Sequence, residues 1–145
     1  MTNSEKLILT SVPYVGTKED PNGYNETIKR WIENSCKSLG IKTPQDDSEF
    51  AWCGCFISNM LVESGIWPID RMHIVSARAF LNIGETVLKP QLGDLVILER
   101  GPGKGHIGIY LSESTFKYRL LSGNSSDSVS IQDFDKGRTL GIRRI

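Results

Sequence analysis

The stretch Ala51-Trp52-Cys53-Gly54-Cys55-Phe56 marks the predicted start of a helix. Apolar residues at helical spacing follow between positions 56 and 61, and Gly65 supplies a C-terminal stop. Cys53 therefore falls at or just inside a helix N-terminus, where unpaired backbone N–H groups and the helix dipole favour negative charge. Such a position can lower a thiol pKa from about 8.5 into the range of about 3.5–7.5. The stretch thus predicts a nucleophilic cysteine.

A buried structural role is the alternative for each cysteine. Most free cysteines behave as small core residues, and Cys36 lies close to the apolar face of an earlier predicted helix. The chain has three cysteines, and Cys53 and Cys55 are too close to bridge within one helical turn. We therefore expect free thiols in a protein made in a reducing compartment.

Composition places the chain among single-domain globular proteins. Its 145 residues contain 39% hydrophobic and 23% charged residues, with a formal net charge of zero. The zero charge argues against a nucleic-acid partner, and no apolar run approaches the roughly 18 residues that cross a bilayer. Residues 1–6 are polar and lack the apolar core of a signal peptide. We expect synthesis in the cytoplasm, no membrane partner, and release to any outer compartment by another protein.

Helices are predicted first along the chain and strands afterwards. The helices are predicted at about residues 4–12, 25–39, 53–64 and 77–82, and the strands at 94–99, 106–111, 118–122, 128–131 and 140–144. Short connections between the strands favour antiparallel pairing. The order predicts an α+β domain, with N-terminal helices packed on a C-terminal antiparallel sheet. No repeat or domain boundary is visible, so residues 1–145 are expected to form one domain.

His106 is the preferred general base, since a thiol nucleophile needs a base close by. It lies where the glycine-rich segment 101–105 enters a strand, and Gly105 before it is expected to leave room for a substrate. The other histidine, His73, lies in a linker without such framing. The alternative for His106 is a surface-loop histidine without a partner.

Asn124 is the preferred third residue of the site. Gly123-Asn124 ends the run Arg119-Leu120-Leu121-Ser122, a predicted strand that is expected to pair with the His106 strand. An Asn oxygen can accept from one imidazole nitrogen and leave the other to take the thiol proton. The alternative is that Gly123-Asn124 is only a turn, in which case Asp127 or Asp133 is the residue to consider.

Metal binding is weakly indicated. Asp46, Asp47 and Glu49 precede Cys53, and three carboxylates in a loop can bind calcium, although their spacing favours a solvated loop. Unless neutralised or turned away, they would raise the thiol pKa. The single residue between Cys53 and Cys55 is short for a pair of zinc ligands. We therefore expect no cofactor and no metal.

With these residues placed, the chain resembles the small cysteine peptidases and amidases of phages and bacteria, the CHAP-like and NlpC-type members of the papain-like cell-wall hydrolases. The matching segments, in the family's order, are Gly16-Thr17-Lys18-Glu19, the helix with Trp31, Trp52-Cys53-Gly54-Cys55-Phe56, Ala77-Arg78-Ala79-Phe80, Gly93-Asp94, Gly105-His106-Ile107-Gly108 and Gly123-Asn124. Two positions depart from the pattern. Cys55 replaces a small apolar residue, and Ser125 stands where the family often has Gln.

The resemblance implies a papain-like catalytic domain that hydrolyses an amide bond in peptidoglycan with Cys53, His106 and Asn124. It also implies that Trp52 and Gly105 lie beside the substrate. The cleaved bond would be a peptide bond within the wall peptide, as for an endopeptidase, or the N-acetylmuramoyl-L-alanine amide. A monomer without a separate wall-binding domain resembles a phage endolysin. The alternatives are a secreted antibacterial amidase, or a catalytically silent binding module, including one that holds a metal with Cys53, Cys55 and His106.

Overall fold

The computed structural model describes residues 1–44 and 52–145, and these residues form an α+β domain as predicted. The α-helices are α1 (Asn3–Ser11), α2 (Glu26–Leu39) and α3 (Cys53–Glu63). The strands are β1 (Glu85–Thr86), β2 (Leu95–Glu99), β3 (Gly105–Glu113), β4 (Lys117–Ser125), β5 (Ser128–Asp135) and β6 (Thr139–Arg144). Short 3₁₀ helices span Val12–Tyr14, Ile69–His73, Ala77–Asn82 and Lys136–Arg138. The carboxylates Asp46, Asp47 and Glu49 lie outside the described residues.

Local capping fixes the ends of α2. The Asn25 side chain accepts hydrogen bonds from the N–H groups of Thr27 and Ile28, and Gly40 ends the helix with a left-handed φ of 71°. Each such cap is worth about 1 kcal/mol. At the start of α1, Thr2 is the N-cap residue and forms a capping box with Glu5.

The helix α3 is the buried centre of the domain. Every residue from Cys53 to Leu61 is buried, and the helix packs on α2, β3 and β4. Trp52 occupies its N-cap position, and among the described residues no side chain caps its first turn. The unpaired N–H groups and the dipole of a helix N-terminus favour a negative charge at this end.

The sheet is antiparallel, with the strand order β1-β6-β2-β3-β4-β5. Side-chain alternation divides its apolar residues between two clusters. The helix-facing cluster includes Leu95, Ile97, Ile107 and Ile109, and the cluster on the other face comprises Val96, Leu98, Tyr110, Leu120, Phe134 and Ile142. The strand that carries His106 therefore contributes to both cores.

The remaining differences from the sequence prediction are local. The 77–82 segment is a 3₁₀ helix, and Ser76 makes no side-chain cap to it. Strands β3, β4 and β5 run two to four residues further than predicted, and the two-residue strand β1, exposed on both residues, was not predicted at all. None of the helices within 1–44 and 52–145 is long and apolar enough to cross a membrane.

Candidate active site

Cys53 is the first residue of α3 and its side chain is buried, with 3% of its surface exposed. The next residue, Gly54, lies against the backbone of Val75, where an added Cβ would collide with the carbonyl oxygen. The Cys53 sulfur receives the backbone N–H of Ile107, together with the N–H groups of its own helix start. The helix N-terminus thus places the thiol beside the His106-Ile107 peptide of β3.

Strand pairing explains why the Ile107 N–H is available. The N–H of Tyr110 donates to Asp94 on the β2 side, so odd-numbered N–H groups of β3 point towards β4. The register of β3 with β4 begins only at Ile109, opposite Leu121. The backbone pairing of β3 with β4 therefore stops short of Ile107, and the Cys53 sulfur accepts the Ile107 N–H from the helix side.

The Cys53 thiol is protonated at neutral pH, contrary to the expected lowering. Burial raises its pKa above the ordinary value of 9.0, and this effect outweighs the Ile107 N–H and the nearby Arg100 guanidinium, which both lower it. The sequence indicated the helix terminus but not the extent of burial, and burial decides the direction.

His106 is fully buried, so the surface-loop alternative is wrong. It pairs with Leu98 across β2 and β3, and its ring stacks on Phe134 with centroids 5.0 Å apart. Burial above all, together with the guanidinium groups of Arg100 and Arg138, lowers the His106 pKa to about 3. The imidazole is therefore neutral at physiological pH.

Ser122 holds the imidazole. Its Oγ lies 2.9 Å from His106 Nε2, and within the described chain His106 Nδ1 has no hydrogen-bond partner although it is buried. When Nε2 donates to Ser122, Nδ1 carries the lone pair of a base. A buried polar atom without a partner lowers the free energy of unfolding by about 1–3 kcal/mol, and such atoms are typical of functional sites.

The residue hydrogen-bonded to the imidazole is Ser122 and not Asn124. Asn124 has a positive φ of 54°, and the register of β4 with β5 shifts between Ser122 and Ser125. The Asn124 carbonyl accepts a hydrogen bond from Arg100 Nη1 at 3.5 Å, whereas no hydrogen bond of its side chain occurs within residues 1–44 and 52–145.

The reserve candidates are also elsewhere. Asp127 is exposed in the turn after β4, with a φ of 57°. Asp133 is exposed and pairs with Arg119 at 3.0 Å. Neither carboxylate is a hydrogen-bond partner of His106.

Cys53 and His106 lie near the same end of β3, on opposite faces of the sheet. Ile107 faces the helices while its neighbour His106 faces the other core, so alternation along β3 separates the thiol from the ring. The His106–Ser122 hydrogen bond spans β3 and β4 beside the site where the Ile107 N–H meets the sulfur. In the described structure no hydrogen bond joins Cys53 to His106. The two groups are neighbours in a resting state rather than a preformed ion pair.

Trp52 is a structural anchor in this structure, not an exposed substrate contact. Its ring is fully buried, and its Nε1 donates to Glu19 Oε1 at 2.7 Å. The segment that carries Glu19 is held by backbone hydrogen bonds to β5 and the turn before it, including Gly16 N–H to Val129. An added Cβ on Gly123 would lie 2.8 Å from the Trp52 ring.

Gly105 does not leave open space for a substrate on its Cβ side. An added Cβ there would lie 3.1 Å from Arg78 Cγ and 3.3 Å from Ala77 Cβ. The glycine is needed because the 77–82 segment packs closely on the start of β3.

The other two thiols are turned away from the site. Cys55 Sγ lies 3.0 Å from both Ser35 Oγ and the Trp31 carbonyl oxygen, and burial raises its pKa to about 12. Cys36 is a buried core residue, as its pattern indicated. Because Cys55 faces α2, it does not join Cys53 and His106 in a ligand set, and the described residues contain no cluster of three metal-binding side chains.

Three residues of the site escaped the sequence analysis. Ser122 lies two positions before the predicted Asn124, and strand alternation alone would have admitted either. Arg100 and Glu19 contact residues far along the chain, Asn124 and Trp52 respectively. The only sequence signal for either was the Gly16–Glu19 segment, which contains Glu19.

Comparison with protein-family models gives no match for this chain, and neither does comparison with curated proteins.

Proposed function

We propose that the protein is a cysteine-dependent amidohydrolase with a papain-like fold that cleaves an amide bond in peptidoglycan, as an endopeptidase or an N-acetylmuramoyl-L-alanine amidase. One observation supports this most strongly. The thiol at the N-terminus of α3 accepts the backbone N–H of Ile107, and the preceding residue, His106, has a buried Nδ1 without a partner among the described residues. A thiol, a base and an anion-binding helix end are the parts that thiol-dependent acyl transfer requires. The resemblance of the Trp-Cys and Gly-His segments to cell-wall hydrolases supplies the substrate.

In the proposed reaction, Cys53 Sγ attacks the amide carbon while His106 Nδ1 takes the thiol proton. The Cys53 backbone N–H binds the developing oxyanion, and one such donor is worth about 10²–10³ in rate. His106 then gives the proton to the leaving amine, which departs and leaves a thioester on Cys53. Water, deprotonated by His106, hydrolyses the thioester, and the acid product and free thiol are released.

The neutral resting pair has a consequence for this chemistry. Because the Cys53 pKa is raised and the His106 pKa is lowered, the proton stays on sulfur until substrate arrives. In the proposed reaction the proton transfer therefore accompanies the attack, and it requires the imidazole ring to turn from the Phe134 side towards the thiol. Ser122 stabilises the imidazolium by accepting from its Nε2–H.

A catalytically silent binding module is the second candidate. The low pKa of His106 and the lack of a Cys53–His106 hydrogen bond favour it over a ready-made catalytic pair. A phage endolysin and a secreted antibacterial amidase would share the same chemistry, acting on the wall after release by another protein.

Turbidity loss of permeabilised cells separates the two candidates. The enzyme should clear the suspension, a thiol alkylator should stop it, and a chelator should leave it unchanged. Clearing that survives alkylation would exclude the thiol mechanism. Wall binding without clearing would identify the silent module.

A further inference from the structure

Four cationic side chains lie in or beside the segment 100–105, which leads from β2 to His106. Arg100 and Lys104 belong to the segment, and their backbones are joined by a hydrogen bond of 3.2 Å from the Arg100 N–H. Arg78 Nε donates to the Lys104 carbonyl at 3.0 Å, and Arg138 Nε donates to the Glu99 carbonyl at 3.0 Å. Since the whole chain has a formal net charge of zero, this excess of positive charge is local to one end of the sheet.

These cations are unpaired among the described residues. The ion pairs of the described chain use other cations, namely Lys29, Lys117, Arg119, Lys136 and Arg144. Arg100, Lys104 and Arg138 are exposed, and Arg78 is half-buried. A guanidinium held by a backbone carbonyl and lacking a carboxylate keeps donors free for a planar anion.

Arg100 is the member closest to the candidate chemistry. It follows Leu98, the pairing partner of His106, by two residues, so strand alternation directs it to the His106 side of the sheet. Its Nη1 reaches the Asn124 carbonyl at 3.5 Å, across the same end of β4. Its charge acts on both Cys53 and His106.

We propose that Arg100, flanked by Arg138, binds a free carboxylate of the substrate peptide beside the scissile amide. This rests on the proposed function. Stem peptides of peptidoglycan carry several free carboxylates, and an arginine fork matches their bidentate geometry. The bound carboxylate also offsets the positive charge that opposes imidazolium formation at His106, so the substrate itself prepares the base.

The test uses a cross-linked muropeptide that retains the N-acetylmuramoyl-L-alanine amide and has all other carboxylates free (the free peptide), and analogues in which each carboxylate in turn is a carboxamide. For wild type, kcat/KM should fall about tenfold to a hundredfold for one analogue, as expected for a charged hydrogen bond. Arg100→Ala should lose the same factor on the free peptide and nothing further on that analogue. Arg30→Ala, which removes an exposed arginine from α2, should behave as wild type on every peptide. Equal rates of wild type on all analogues, or a preference that Arg100→Ala retains, would overturn the proposal.

A binding measurement separates this proposal from the proposed function. Cys53→Ala cannot turn over substrate. Calorimetry of this variant with the free peptide and with each carboxamide analogue therefore reports binding alone. It should bind the free peptide about tenfold or more tightly than one analogue, and addition of Arg100→Ala should abolish that difference. If wild type cleaves no peptide but this difference is seen, the carboxylate site stands and the hydrolase proposal fails. If Cys53→Ala binds all peptides equally or none, the carboxylate site is excluded.

Discussion

His106 links the burial of the site to the pH dependence of the whole protein. Its pKa is about 3 in the folded chain and about 6.5 when unfolded, so the unfolded chain binds the proton first. The stability that the neutral ring contributes is present above pH 6.5 and is lost as the pH falls towards 3. The slope from this one group is about 1.4 kcal/mol per pH unit in that window.

Urea unfolding at pH 7.5 and pH 5.0 checks this prediction. Wild type should lose more free energy of unfolding between the two pH values than His106→Gln, because the variant has no imidazole to protonate. His73→Gln is the matched control, since that ring is exposed, and it should lose as much as wild type. Equal losses of unfolding free energy in wild type and His106→Gln would show that folding does not lower the pKa of the His106 imidazole.

Cys53 should behave as a buried thiol when no substrate is present. Because burial raises its pKa and no hydrogen bond joins it to His106 in the described structure, alkylation by iodoacetamide should be slow below pH 8. The rate should then rise along a single alkaline limb, measured by mass spectrometry of the Cys53 peptide. Fast alkylation near pH 6 would instead indicate a thiolate–imidazolium pair in the resting protein. Cys53→Ser is the control that assigns the modified thiol.

Ser122 and Asn124 offer a direct comparison of two candidate positioning residues. Ser122→Ala removes the partner of His106 Nε2, so kcat should fall by about tenfold to a hundredfold through misalignment, and the pH–rate profile should shift. Asn124→Ala leaves that hydrogen bond intact and should keep most of the activity. A larger loss for Asn124→Ala would restore the assignment made from the sequence. Chemical melts of both variants separate positioning from a loss of folded protein.

Among the elements, the start of α3 is fixed by close backbone contacts rather than by a side-chain cap. Gly123 on β4 admits the rings of Trp52 and Phe56, and an added Cβ would lie 2.8 Å from each side chain. Gly123→Ala should therefore lower the free energy of unfolding by about 1–3 kcal/mol through overpacking. Gly137→Ala, where nothing lies within 4 Å of the added Cβ, should change it little. Equal urea midpoints for the two variants would show that β4 does not hold the helix start in this way.

Local signals explain why the elements were predicted better than the site. Asn25 and Gly40 fix the ends of α2 through their own backbone geometry, and alternating apolar residues identify β2 and β3. The pKa of Cys53 and the free space beside Gly105 depend on residues far along the chain. The sequence therefore singled out candidate residues, but it did not show what surrounds them.

At the scale of the whole molecule, two apolar clusters on opposite faces of one sheet hold the candidate residues. Cys53 belongs to the helix-side cluster, and the His106 ring packs on Phe134 of the other. The predicted α+β architecture is confirmed, but helix and strand order could not show that His106 turns towards the second cluster. That choice depends on the register of β3 with β2, in which His106 opposes Leu98.

Mass spectrometry of purified sacculi digested in ¹⁸O-labelled water tests whether Cys53 hydrolyses an amide bond in peptidoglycan. The wild-type digest should contain new chain ends in equal number, carboxyl groups that each carry one ¹⁸O and free amines without label. Cys53→Ser, with a comparable melting curve, should release none, whereas Cys55→Ala should release the wild-type products. Intact sacculi after wild-type digestion, or the same labelled products from Cys53→Ser, would contradict the account.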